Sequence, residues 1–86
     1  MELIITDTAK EDIRFFIKSG KVNIVKKIEK LLVSIQDTPF AGLGKPEPLK
    51  YKYSGKWSRR IDGEHRLIYG IDEEIIYIYS FKGHYK

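Results

Sequence analysis

Thr38-Pro39 divides this chain into two stretches whose apolar residues recur at different intervals, and that break limits the folds open to it. Before it, Val22, Val25, Ile28, Leu32 and Ile35, with Ile24 and Leu31 beside them, form the wide apolar stripe of a helix. Lys26, Lys27, Glu29 and Lys30 fall largely outside that stripe. Proline cannot donate a helical amide and disfavours the α conformation in the residue before it, so the helix ends there. Residues 40–48 carry Gly42, Gly44, Pro46 and Pro48 and read as a loop with an extended final part. The remainder reads as a meander of strands over Leu49–Tyr53, Trp57–Asp62, Arg66–Ile71 and Ile75–Lys82. Ser54-Gly55, Asp62-Gly63 and Asp72-Glu73-Glu74 supply the turns between them.

Upstream of the long helix, Leu3–Thr6 is a short strand rich in β-branched residues. Thr8-Ala9-Lys10-Glu11 has the spacing in which a hydroxyl and a carboxylate satisfy the free amides that open a helix. Ala9, Ile13, Phe16 and Ile17 then recur at helical spacing, and Ser19-Gly20 offers a stop. The order β-α-α-β-β-β-β predicts an α+β fold, an antiparallel sheet with two N-terminal helices packed on one face. A chain of 86 residues accommodates one domain, residues 1–86, which buries roughly 60 to 65% of its unfolded surface.

Several functional classes are excluded or disfavoured by what the chain lacks. With no cysteine there is neither a disulfide framework nor thiolate chemistry, and two histidines make a structural zinc site improbable, so no metal or cofactor is expected. Met1-Glu2-Leu3-Ile4-Ile5 lacks a basic leader region, and no apolar run approaches membrane-spanning length, which points to the cytoplasm. The net charge of +4 is modest, but its distribution is not even. Between Lys45 and Arg66 lie Lys50, Lys52, Lys56, Arg59 and Arg60, with Tyr51, Tyr53 and Trp57 interleaved. Cations that meet phosphates and rings that stack on bases would suit a nucleic acid; a solvated face over core aromatics would give the same composition.

Three residues invite a chemical reading. Glu47 stands between two prolines that hold the chain extended, which suits a positioned base, although an exposed loop carboxylate is the ordinary reading. Arg66 alternates onto the side of Ile68 and Gly70, where a glycine leaves room for something to approach; a surface arginine paired with Glu64 or Asp62 is the ordinary reading. His84 follows the last strand, where an imidazole can donate a proton to a leaving group, or be no more than a mobile tail residue. His65 alternates toward the Leu67 face and reads as a packed or hydrogen-bonded structural histidine. RNA cleavage without a metal needs a base for the 2′-hydroxyl, cations for the phosphoryl oxygens and an acid for the departing 5′-oxygen. Glu47, Arg66 with Lys50, and His84 can fill those roles.

At these residues the chain resembles the Txe/YoeB toxins of the RelE superfamily, the toxin halves of bacterial type II toxin–antitoxin pairs. The blocks that carry the resemblance are Thr38-Pro39-Phe40, Gly44-Lys45-Pro46-Glu47-Pro48-Leu49, Trp57-Ser58-Arg59-Arg60-Ile61, Glu64-His65-Arg66-Leu67-Ile68-Tyr69 and His84-Tyr85. The resemblance implies a microbial-ribonuclease-like fold and an endoribonuclease that enters the ribosomal A site and cuts the mRNA being translated. It implies Glu47 as general base, His84 as general acid and Arg66 as stabiliser of the scissile phosphate. Tyr85 would stack on a nucleobase, Lys50, Arg59 and Lys82 would hold RNA, and Glu64 would contact a base or take the proton in place of Glu47. Its implied partners are the bacterial ribosome, mRNA and a YefM- or Axe-type antitoxin, and it allows toxin homodimers. Lys82-Gly83 and the terminal Lys86 depart from the family pattern of an Arg and an aromatic before a final His-Tyr. A catalytically silent basic binding module of the same fold is the other function this sequence admits.

Overall fold

A computed structural model describes residues 1–83. The elements are β1 (Glu2–Ile5), α1 (Asp7–Lys18), α2 (Val22–Asp37), β2 (Glu47–Pro48), β3 (Lys56–Arg60), β4 (Arg66–Asp72) and β5 (Ile75–Ser80). A single 3-10 turn, Tyr51–Tyr53, lies between β2 and β3. The five strands form one sheet in the order β1-β5-β4-β3-β2. All pairs are antiparallel except β1 with β5, which run parallel from Glu2 opposite Ile75 to Ile5 opposite Ile78. The sheet is therefore mixed rather than wholly antiparallel. The two helices between β1 and the rest of the sheet provide the long crossover that a parallel pair requires.

Local chemistry sets the helix ends, though not always where the sequence pattern suggests. Thr6, not Thr8, caps α1: its Oγ1 accepts from the Ala9 N–H at 3.3 Å and donates to the Tyr79 carbonyl at 3.0 Å. Capping there serves two elements at once, because the same hydroxyl ties the helix to β5. At the other end Gly20 N–H donates to Ile17 O at 3.1 Å and Lys21 N–H to Phe16 O at 2.9 Å, the paired bonds of a Schellman stop. The helix α2 begins immediately after and ends at Thr38, as the proline requires.

The helices cover one face of the sheet. Ala9 and Phe16 of α1 and Ile28, Leu31 and Ile35 of α2 pack on Leu67 and Tyr69 of β4 and Ile76 and Ile78 of β5. Each large aliphatic in that cluster stabilises the fold by about 2–5 kcal/mol relative to alanine. Val22, at the head of the predicted stripe, instead stays 57% exposed. A bulge interrupts β5: Tyr69 faces Ile78, yet Ile68 faces Ser80, so Tyr79 is the extra residue. The bulge reverses the alternation, which puts Phe81 in the core and Ser80 on the opposite face. Among the described residues, no helix is long and apolar enough to cross a membrane.

Candidate active site

Glu47 and Arg66 both fall on the face of the sheet away from the helices, and register fixes who stands beside whom. Glu47 of β2 faces Ser58 of β3, Ser58 faces Ile68 of β4, and Ile68 faces Ser80 of β5. Directly opposed residues in an antiparallel pair project to the same side, so these four form one row across the sheet. The next row toward the β3–β4 turn pairs Arg60 with Arg66. Two strand spacings across and two residues along separate Glu47 from Arg66, about 12 Å between backbone positions.

Glu47 is exposed, and the loop before it is rigidly built. Gly44 has φ +85 and Lys45 φ +52, and the Gly44 carbonyl accepts from the Arg60 N–H at 2.7 Å. A Cβ on Gly44 would stand 2.7 Å from Leu31 Cδ2 and 3.1 Å from the Arg60 carbonyl, so only glycine fits. Arg59 locks the same loop from inside. The sequence pattern suggested Arg59 as an RNA contact, but it is 0% exposed and so is structural. Its Nη2 donates to the carbonyls of Thr38 (2.6 Å) and Ala41 (2.8 Å), its Nη1 to Ser34 Oγ (2.7 Å) and the Leu43 carbonyl (2.9 Å), and its Nε to Tyr69 Oη (3.2 Å). All five donors are thereby used. Alternation is the physical reason: Arg59 shares the core side with Trp57, while Arg60 turns outward.

Arg66 is half-buried, and its Nη1 donates to the Asp62 carbonyl at 2.8 Å and the His65 carbonyl at 3.1 Å. It is held by backbone oxygens, with no ion pair to a carboxylate among the described residues. Its positive charge is thus positioned without being neutralised. Lys27, Lys45, Arg60 and Arg66 line one open cleft of about 440 Å³ together with Gly44, Ile61, Asp62 and Gly63. Four cations against one carboxylate make an anion site. Lys45 and Arg60 were read only as members of the basic stretch and given no role of their own, and Lys27 only as lying outside the apolar stripe of its helix. The outward parity of Arg60 was a usable signal, whereas the approach of α2 that brings Lys27 there has no local signature.

The Asp62 carboxylate shapes the turn behind the cleft, accepting from the N–H groups of Glu64 (2.9 Å) and His65 (2.7 Å). Partial burial is the largest single influence on it and opposes ionisation. The backbone bonds from His65 and Glu64 and the charges of His65 and Arg66 together outweigh burial, holding the carboxyl below its ordinary range. Glu64 lies on that turn with an 80% exposed side chain, 3.7 Å from His65 Nε2.

The remaining expected residues are scattered or differently used. Lys50 is exposed just past β2. Trp57 is a packing residue, half-buried and 4.9 Å from the Phe40 ring, while Tyr51 is 91% exposed in the 3-10 turn. The space expected over Gly70 is filled: a Cβ there would meet the Tyr79 ring at 3.2 Å, and Lys56 Nζ sits 4.5 Å from the centre of that ring. Lys82 is exposed and lies with Nζ 3.8 Å from the centre of the Phe15 ring on α1. His84 and Tyr85 lie outside the described residues. Ser80 Oγ, in the row with Glu47, is buried and has no hydrogen-bond partner.

Residues 5–85 match the family described as YoeB-like toxin of bacterial type II toxin-antitoxin system. Toxin YoeB of Escherichia coli strain K12 is 44% identical over 85 residues, covering 99% of this chain and 100% of that protein. The structure of a YoeB dimer from Staphylococcus aureus superposes with a TM-score of 0.87 at 43% identity, covering 99% of this chain and 98% of that one. A heterotetrameric YoeB-YefM toxin-antitoxin complex from the same organism gives a TM-score of 0.85 at 43% identity, with the same coverage.

Proposed function

The chain belongs to the YoeB-like toxins of bacterial type II toxin–antitoxin systems, and on that footing we propose that it is a metal-independent endoribonuclease cutting translated mRNA in the ribosomal A site. The observation that carries this reading is the placement of Glu47 on one face of the sheet with Arg66, which itself lines a cleft with three further cations. Glu47 takes the proton of the ribose 2′-hydroxyl, whose oxygen attacks the adjacent phosphorus in line. Arg66, with Lys45 and Arg60 beside it, stabilises the charge gathering on the phosphoryl oxygens. His84 gives a proton to the departing 5′-oxygen, leaving a 2′,3′-cyclic phosphate and a 5′-hydroxyl. Glu64, exposed on the adjoining turn, is the second carboxylate that could serve as the base in place of Glu47.

The same cations meet the RNA backbone, and Lys50 and Tyr85 extend the contact to neighbouring nucleotides. A YefM- or Axe-type antitoxin neutralises the toxin, as the staphylococcal complex suggests, and self-association follows the staphylococcal dimer.

The test adds purified protein to bacterial ribosomes stalled on a defined mRNA with an empty A site and maps new 5′ ends, with His84→Gln and Glu47→Ala as controls. Cuts within the A-site codon that fall in both controls to a small residual single-turnover rate, with ribosome binding retained, support the nuclease. An intact message under bound, folded protein replaces it with a binding module.

A further inference from the structure

After β5 leaves the sheet, the chain is held residue by residue. The Phe81 N–H donates to Asp12 Oδ2 of α1 at 2.9 Å, and its ring is buried in the core. Lys82 covers Phe15. The Gly83 N–H donates to His65 Nδ1 at 2.8 Å, and its carbonyl accepts from the Arg66 N–H at 2.8 Å.

His65 is itself locked in place. It is 8% exposed, its ring stands edge-on to Phe16 at 5.0 Å, and its N–H donates to Asp62 Oδ1 at 2.7 Å. Its carbonyl accepts from the Ile61 N–H at 3.0 Å. Because Nδ1 accepts from the Gly83 amide, the ring N–H is at Nε2, the nitrogen nearest Glu64. The ring is thus fixed in position and tautomer, with one lone pair aimed at one amide.

The amide it holds belongs to a residue that needs holding. Gly83 has φ +76 and no side chain of its own, so without a partner its backbone has the widest freedom of any residue. Two bonds, one from each flank, remove that freedom where the chain passes Arg66. Only His84, Tyr85 and Lys86 follow.

We infer that His65 is a positioning residue, which through its bond to the Gly83 amide fixes the backbone, beside Arg66, of the residue that immediately precedes His84. The inference rests on the reading of His84 as general acid. A displacement of about 1 Å at the reacting groups costs on the order of a hundredfold in rate, and rotation about an unclamped glycine exceeds that at the next side chain.

Three substitutions at His65 vary one feature, the acceptor. Asn places an oxygen close to the position of Nδ1, Gln places one near that of Nε2, and Phe keeps the ring without any acceptor. Each is assayed for single-turnover cleavage on programmed ribosomes, for ribosome binding, and for hydrogen exchange of the Gly83 amide. His65→Asn should cut within about threefold of wild type and keep the amide protected, whereas His65→Gln and His65→Phe should be slower by about a hundredfold with an exposed amide and unchanged binding. In a His84→Gln background, His65→Phe should cause no further loss.

Equal rates across the series, or a full additional loss in the His84→Gln background, would overturn the positioning role. Should His65→Phe fail to fold, the contrast between Asn and Gln decides. A wild type that cuts while the Gly83 amide ignores the acceptor removes the clamp alone. A wild type that does not cut removes the nuclease reading, and the positioning role with it.

Discussion

Arg59 Nε donates to the Tyr69 hydroxyl at 3.2 Å, and that hydroxyl donates onward to the Pro39 carbonyl at 2.6 Å. Through this relay the centre of the sheet holds the loop that delivers Glu47. The guanidinium is buried without a carboxylate, its charge met by three loop carbonyls and two hydroxyls. Arg59→Ala leaves those carbonyls unsatisfied and should cost about 3–5 kcal/mol. Arg59→Lys keeps the charge but not the planar fork, and should still lose about 2 kcal/mol or more. Urea unfolding midpoints check both, and stability unchanged in Arg59→Lys would contradict the loop-holding role.

Gly44→Ala should be destabilising by about 2–4 kcal/mol, combining a left-handed backbone with overpacking against Leu31. Because the strain falls three residues before Glu47, cleavage should decline more than ribosome binding. A kcat and KM comparison on programmed ribosomes separates the two.

The β4–β5 connection is a two-residue turn with φ +48 at Glu73 and +71 at Glu74, the backbone of a type I′ hairpin. Neither glutamate favours that conformation. Replacing the pair with Asn-Gly should stabilise the fold by about 1–2 kcal/mol, since each non-glycine residue in this region costs about that order. Thermal unfolding should shift upward by roughly 4–8 °C per kcal/mol for a chain of this size, and cleavage should be unchanged.

Burial raises the Tyr69 phenol above its ordinary value, partly offset by the hydrogen bond and charge of Arg59. A group whose folded pKa is raised contributes stability that is complete below its unfolded value, about pH 10, and lost as pH climbs through the folded value. Unfolding free energy should therefore fall on the alkaline side, and Tyr69→Phe should flatten that fall. Asp62 has the opposite sign, its carboxyl being depressed: its contribution is present above about pH 4 and lost as pH drops through the folded value. Asp62→Asn should reduce the acid dependence by a small amount, given its exposure.

The two helices and the long strands were legible because their periods are local. The loop ahead of the catalytic face was legible too, through its glycines and prolines. What misled were signals with two meanings. The Tyr51-Lys52-Tyr53 alternation reads as a strand, yet Tyr51 takes φ +58 and forms the 3-10 turn, and pairing begins earlier at Glu47. Trp57-Ser58-Arg59-Arg60 reads as a basic face, although counting by twos from Trp57 already sends Arg59 inward and Arg60 outward. The parallel partner of β1 had no local sign, since it lies more than seventy residues away. Glu47 and Arg66 were singled out by residue type, and register places them on one face of the sheet.

The first strand to be synthesised therefore waits for the last. Until Ile75–Ile78 exists, β1 has no neighbour in the sheet and the N-terminal helices have no complete floor to cover. Contacts so distant in sequence form late, after most of the loop-closure entropy has been spent. A chain without β5 carries Glu47 and Arg66 yet leaves β1 unpaired and the helices half covered, so the proposed activity waits on the strand that closes the sheet.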